Sequence, residues 1–383
     1  METMILPRPR ACLSVDLARL CHNYRYLAAL LARDNTEPIA VVKANAYGHG
    51  AIPIAAALYG AGCRRFAVAD LCEALPLRAA LPPCEILVLG YTPPENARLA
   101  ADGSVTLTVV DEPHARALSR ALGDTVLSVA VKLNCGMNRM GLRLAPDAFD
   151  RSVEAILGIL RMPRLFVTSI YSHLATADAP AAPETRHAVR LFFAARSALA
   201  RRGVSLPMHL SASAAVLSRV AVGLPLARLG LALYGYDPLQ NDKYLLPIAE
   251  LSAHIAQIYP IARGECVGYG AAFRAAKRDL VGILPIGYAD GLCRAASCGG
   301  YALVAGHRAP LIGRISMDAA AISLRGIPRA DCRCAVLFGK SPSDLFALAE
   351  AAKTIPYELL AGLGQRIDRK YKYGNDLGNC DTE

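Results

Sequence analysis

The chain has 383 residues, roughly two to three times a ~150-residue domain, which leaves room for one large domain and a second. Hydrophobic residues make up 54% and charged ones 19%, which excludes a disordered or fibrous chain. The net charge of +10 comes from 42 Lys and Arg against 32 Asp and Glu, but the basic residues are dispersed and not interleaved with aromatics; this argues against nucleic acid and suits small anionic ligands.

The N-terminus, METMILPRPRACLSVD, lacks the apolar core of a signal peptide, so a cytoplasmic protein is expected. No membrane association is expected either. The longest uncharged stretch, 44–63, contains Asn45, His49, Pro53 and four glycines, which hydrocarbon would reject. The twelve cysteines are scattered, and only Cys332 and Cys334 lie within two residues of each other, so free, mostly buried thiols and no metal site are expected.

Leu17, Leu20, Tyr24, Leu27 and Leu31 recur at three- and four-residue steps, which predicts an amphipathic helix over 16–32. Residues 39–42 form a short branched run suited to a strand buried on both faces, and a helix follows at 52–59. Similar runs at 65–69, 85–89, 105–109, 127–131, 165–170, 208–210 and 229–233 bring the strands to eight, with helical segments such as 147–160 and 184–200 between them. Eight strand-helix units over ~230 residues is the arithmetic of a parallel (β/α)8 TIM-type barrel, with a doubly wound open sheet as the alternative.

After about residue 244 the texture changes to glycine-punctuated apolar stretches at 255–261, 280–286, 301–305 and 319–324 without intervening helices. A late helix at 343–352 and a charged tail at 366–376 complete the chain. The expected organisation is therefore an α/β barrel domain over 1–243 and a mostly β C-terminal domain over 244–383.

In such a barrel the reactive groups belong at the C-terminal ends of the strands. Lys43, in AVVKANAYGHG, ends the first strand; a lysine held against apolar walls loses pKa and can act as an amine nucleophile. Lys132, Asn134 and Arg139 follow the fifth strand, His173 ends the sixth, His209, Ser211 and Ser213 end the seventh, and Arg228 enters the eighth. Polar groups converging on one rim read as a site.

The ordered motifs VVKANAYGHG at 41–50, KLNCGMNRMG at 132–141, SHLATAD at 172–178, RLGLALYG at 228–235, VGYGAAF at 267–273, LPIGYADG at 284–291, GRISMD at 313–318 and IPYELL at 355–360 span nearly the whole chain. Together they resemble the alanine racemase family, pyridoxal 5'-phosphate enzymes built as a barrel followed by a β domain. The resemblance implies alanine as substrate and a role in supplying D-alanine for peptidoglycan. It implies that Lys43 attaches the cofactor and serves one face of the substrate α-carbon, with Tyr269 as the base on the other face. Tyr47, Ser213 and Tyr357, with backbone groups at Gly230 and Leu231, would hold the phosphate. His173 would tune Tyr269, and Arg228 would face the ring nitrogen. Arg139 and the main chain at Met317 would hold the substrate carboxylate. Tyr288, Asp290, Arg294, Arg314, Asp318, Asp178 and Ile355 resemble residues that narrow the family's substrate channel. A homodimer, with Tyr269 and Met317 reaching the partner's active site, is implied in the same way.

Departures from the family pattern are few. Asn134 stands where an acid is frequent, Cys135 where threonine is, Ala212 where asparagine is and Ser316 where cysteine is. Lys132 matches a lysine that is carbamylated in some members, and its state here stays open. The rival readings are a broad-specificity amino-acid racemase, a non-catalytic pyridoxal phosphate-binding protein and a decarboxylase. Tyr269, Arg139 and the second domain weigh against the carrier, and VGYGAA against the decarboxylase.

Overall fold

The structure, a computed structural model, describes residues 10–297 and 299–373. The N-terminal nine residues, Cys298, Cys380 and the tail end at 374–376 lie outside the described residues. Those that are described fall into two compact units, one of 20–46 and 51–245, the other of 10–19, 47–50 and 246–373.

The first unit is an eight-stranded parallel barrel. Around the sheet its strands run Leu226–Leu229, Glu37–Val41, Arg65–Val68, Glu85–Val88, Thr106–Val109, Leu127–Asn134, Leu165–Tyr171 and Met208–His209. The two edges approach closure where Arg228 N donates to Ser211 O at 3.0 Å. Near-continuous apolar runs make these strands: Phe66, Ala67 and Val68, or Val129, Ala130 and Val131, are all buried, as strands covered on both faces require. Helices Ala51–Gly60, Leu71–Ala80, Glu112–Ala121, Phe149–Leu160 and Pro183–Ala200 alternate with them. Two are started by aspartates: Asp70 accepts from Cys72 N at 2.9 Å, and Asp111 from His114 N at 2.7 Å.

At the N-terminal end of the barrel, Arg65 donates to both Glu37 and Glu85, which begin the strands on either side of its own. The eighth strand departs from the sequence-based expectation of 229–233. It runs Leu226–Leu229, and Leu231–Tyr234 coils into a 3-10 turn. The cause is local: the amides of Gly230 and Ala232 bond the Ser213 hydroxyl and leave the ladder.

The second unit is a nine-stranded sheet in the order Gln257–Ile261, Asp279–Leu284, Ala320–Ser323, His307–Ile312, Tyr301–Val304, Cys334–Phe338, Ala249–His254, Ala11–Asp16 and Asp368–Lys372. All neighbours are antiparallel except the last pair. The tightest hairpin pairs Val304 with His307 across Ala305 and Gly306, both at positive φ (47° and 82°), the two-residue turn that matches strand twist. The strand Ala11–Asp16 was not expected from the sequence. A single division between 243 and 244 leaves it with the barrel, whereas its ladders run to Ala249–His254 and Asp368–Lys372. A second late helix, Pro356–Ala361, follows Pro342–Ala351.

Ten of the cysteines lie among the described residues. Four are buried, fewer than expected, because several lie at strand and helix ends and not in the core. No helix among the described residues is long and apolar enough to cross a membrane.

Candidate active site

The C-terminal ends of the barrel strands carry the first group of predicted residues. Lys43 follows the first strand, Lys132 lies near the end of the fifth, His173 two residues past the sixth, His209 at the end of the seventh and Arg228 in the eighth. Arg228 is 3% exposed and organises the rest. Its Nη1 donates to His209 Nδ1, and its Nη2 donates to Ser172 O at 2.6 Å, Leu210 O at 3.0 Å and His173 Nδ1 at 3.2 Å. All its side-chain bonds use the two Nη atoms, and Nε has no acceptor among the described residues.

A guanidinium only donates, so both imidazoles accept at Nδ1 and carry their proton on Nε2. Both are neutral. Burial, then the charges of Arg228, Lys132, Arg139 and Lys43, push His173 down to about 2, and burial with Arg228 and Lys132 pushes His209 well below its usual range. His209 stacks flat on Tyr171 at 4.9 Å between centroids, and its Nε2 has no hydrogen-bond partner among the described residues. The same tyrosine ring lies 4.2 Å from Lys132 Nζ and 5.3 Å from Arg228 Cζ, an aromatic face shared by two cations.

Lys43 is half-buried, and its pKa is lowered by burial first, then by Arg139 and Arg228, with Glu73 opposing. Lys132 falls to about 7 through burial and the charges of Arg228, Arg139 and Lys43. Burial lowers Arg228 as well, to about 10. Arg139 is exposed on the loop after the fifth strand. Four cations and one carboxylate, Glu73, thus make up the set. Low-dielectric surroundings with a surplus of one sign call for an anionic ligand.

The backbone at Lys43 is unusual. Ala44, Asn45, Ala46 and Tyr47 all have φ of 52–53°, a left-handed turn built without glycine. Each such residue costs roughly 1–2 kcal/mol, so the conformation persists only because its surroundings impose it.

Ser213 Oγ accepts from Gly230 N at 2.9 Å and Ala232 N at 3.3 Å, gathering amides at the start of the 3-10 turn. Leu231, also expected here, lies between them in sequence. In the second unit, Tyr47 is buried and its ring centroid lies 6.1 Å from that of Tyr357. Burial and this neighbour raise the Tyr47 hydroxyl pKa. Gly48 follows at φ +79°, where an added Cβ would stand 2.0 Å from Leu360 O. Tyr269 and Met317 are 69% and 53% exposed, and Tyr288 and Ile355 are exposed too. Asp290 is a buried carboxylate that accepts from Gly287 N at 2.9 Å and Arg366 Nε at 2.8 Å, with Arg10 at 3.5 Å. Arg366 also donates to Asp318 at 2.8 Å.

Comparison with known proteins decides the lineage. The family patterns described as "Alanine racemase, N-terminal domain" and "Alanine racemase, C-terminal domain" match residues 15–238 and 248–371. The chain belongs to the alanine racemase family. An alanine racemase of Nostoc sp. is 35% identical over 373 residues, covering 94% of this chain and 95% of that protein. The solved alanine racemase of Streptomyces coelicolor is 34% identical, with a TM-score of 0.86 over 94% of this chain and 98% of that one. The Bartonella henselae alanine racemase, solved with covalently bound pyridoxal phosphate, is 28% identical with a TM-score of 0.86, covering 96% of this chain and all (100%) of that one.

The residues present fit this cofactor. A lysine of lowered pKa can attach it, the surplus of cations suits an anionic cofactor and a substrate carboxylate, and Arg228 Nε is a donor without an acceptor among the described residues. Tyr171, Glu73 and Ala232 belong to this constellation and were not singled out from the sequence. Tyr171 immediately precedes the quoted motif SHLATAD, two residues before His173, so position alone could have raised it. Ala232 lies within RLGLALYG, beside Gly230 and Leu231, and had the same signal, whereas Glu73 carries none.

Proposed function

We propose that this chain is a pyridoxal phosphate-dependent racemase that interconverts L-alanine and D-alanine, supplying the D-isomer for peptidoglycan synthesis in the cytoplasm. The observation that carries the reading is the rim itself, where Lys43, of lowered pKa, stands with Arg139, Lys132 and an Arg228 bracketed by two neutral histidines. Pyridoxal phosphate, when bound, supplies the electron sink that makes an amino-acid α-hydrogen acidic enough to leave.

Lys43 is the group that attaches the cofactor and, once freed, the base for one face of the α-carbon. Its lowered pKa keeps more of it as neutral amine near pH 7. Racemisation needs a second proton carrier on the opposite face, because a single base returns the proton where it took it. We assign that role to Tyr269 of a second copy, in a homodimer whose site is completed from both chains. The wide exposure of Tyr269 and Met317 in the single chain supports this. His173 contributes a neutral Nε2–H donor, which steadies a phenolate by hydrogen bonding and adds no positive charge.

Arg228 keeps its protons at neutral pH, so a ring nitrogen set against it would receive a hydrogen bond and no proton, which would weaken the electron sink and disfavour transamination. Tyr47, Ser213, Tyr357 and the amides at Gly230 and Leu231 are the proposed phosphate donors, and Arg139 with the main chain at Met317 the proposed carboxylate anchor. Chiral chromatography of purified protein incubated with pyridoxal phosphate and L-alanine, with L-serine and L-lysine in parallel, tests the assignment. D-alanine dominates if it is right. Comparable D-serine or D-lysine makes the enzyme a broad racemase, and no D-product despite bound cofactor overturns the reading.

A further inference from the structure

Glu73 has no role in the assignment above. It is the third residue of helix Leu71–Ala80, whose N-cap is Asp70. A glutamate at this position ordinarily reaches back to the N-cap amide. Here it reaches further. Its Oε2 accepts from Ala69 N at 2.8 Å, just past the second barrel strand, and its Oε1 accepts from Ala44 N at 2.6 Å, just past the first. One carboxylate ties the C-terminal ends of two neighbouring strands, and Ala44 is the residue after Lys43.

Ala44 also opens the left-handed turn, which no glycine relieves. Among the bonds that hold that turn within the barrel unit, Ala46 N donates to Val42 O at 2.8 Å, Ala51 N to Asn45 Oδ1 at 2.8 Å, and Ala44 N to Glu73. The first ends on Val42, which precedes Lys43, and the last acts at Ala44, the residue that follows it and opens the turn. We propose that Glu73 is a positioning residue that clamps the left-handed turn after Lys43 and thereby fixes where the lysine nitrogen stands. The inference rests on the role given to Lys43 above.

The clamp requires two acceptor oxygens. Glu73→Gln keeps the volume but turns one oxygen into an NH2 donor, which cannot take an amide proton, so one of the two strand ends is released. The substitution also removes the one acid set against the cations around Lys43: Arg139 after the fifth strand, Lys132 in it, and Arg228 in the eighth, with His173 neutral beside them. Glu73 favours the protonated lysine, so its loss lowers the proton affinity of Lys43 further.

The full-length protein is compared with Glu73→Gln, Glu73→Asp, and Glu73→Gln combined with Ala44→Gly. In Glu73→Gln, kcat falls ~10- to 100-fold with KM within about threefold, and the acid limb of kcat/KM moves down by about one pH unit. In cofactor-free Glu73→Gln the amides of residues 42–47 exchange hydrogen faster, and Lys43 is acylated by acetic anhydride at lower pH than in wild type. Glu73→Asp keeps the charge but falls a methylene short, so it loses rate with the acid limb in place. Glycine occupies the left-handed region without steric cost, so Ala44→Gly restores about threefold or more of the rate lost in Glu73→Gln.

Wild-type rate and exchange in both Glu73 variants overturn the proposal and leave the role of Lys43 untouched. A rate loss that tracks a lowered Tm and is not relieved by Ala44→Gly overturns it too, because Glu73 is then only a packing residue. Racemisation by Lys43→Ala would instead sink the underlying reading.

Discussion

At the N-terminal end of the barrel Arg65 lies between Glu37 and Glu85, and every charge in that row has an opposite neighbour on the next strand. At the C-terminal end Lys43, Lys132, Arg139 and Arg228 gather with Glu73 as the one acid of the set, and the pKa values of Lys43, Lys132 and Arg228 all fall. One end of the barrel thus carries paired charge and the other a surplus of cations. Partly exposed pairs contribute little to stability and do no chemistry. Unpaired cations half out of water destabilise the empty fold, and they persist where an anion from outside completes them.

The contrast is broken most severely at Lys43. Lys43→Ala is expected to lose at least ~10³-fold in kcat and the covalent cofactor bond, read from the intact mass of borohydride-reduced protein. Tyr269→Phe comes next: it keeps the cofactor and loses ~10²- to 10⁴-fold in turnover. Unfolded and refolded together in equal amounts, the two inactive variants recover about one quarter of wild-type activity if each site takes its tyrosine from the partner. Half of the dimers are then mixed, and one of their two sites is whole. A monomer, or a site completed within one chain, recovers nothing.

A smaller effect is expected from Lys132 in the cofactor-free protein. Its pKa is about 7 in the fold against an ordinary 10.5. Between those values the unfolded chain holds a proton that the folded chain has released, so stability rises as pH climbs from 7 towards 10.5. Tm measured across that window should rise in wild type, and Lys132→Met should remove much of the slope. At the opposite end, Arg65→Ala should change stability by only about 0–1 kcal/mol and leave kcat unaltered, which denaturant titration and the racemase assay check together. An activity loss there would erase the distinction between the two ends.

Lys43 and His173 were legible because each follows an apolar run, Arg228 because it enters one, and all three sit in motifs with their own sequence. The eight-strand count was legible for the same reason, apart from the last strand, where the apolar run 229–233 continued past the ladder into a turn set by a hydroxyl seventeen residues away in sequence. Glu73 was not legible. In LCEALPLRAA it looks like any acid in a first helical turn, and its service to Ala44 depends on two strands lying side by side. The left-handed turn was hidden as well, since KANAY contains no glycine and local propensity argues against it. Ala11–Asp16 shows the same limit, because a strand whose partners begin at Ala249 and Asp368 leaves almost no local trace.

That strand has a consequence for how the protein is made. Ala11–Asp16 leaves the ribosome long before its parallel neighbour Asp368–Lys372. At ~5–20 residues per second the delay is on the order of 20–70 s. Throughout that time the barrel can be completed, while the first strand waits with a bare hydrogen-bonding edge that invites pairing with other chains. The nascent protein is therefore exposed to aggregation at this strand, and the edge gains its second neighbour only when Asp368–Lys372 has been made.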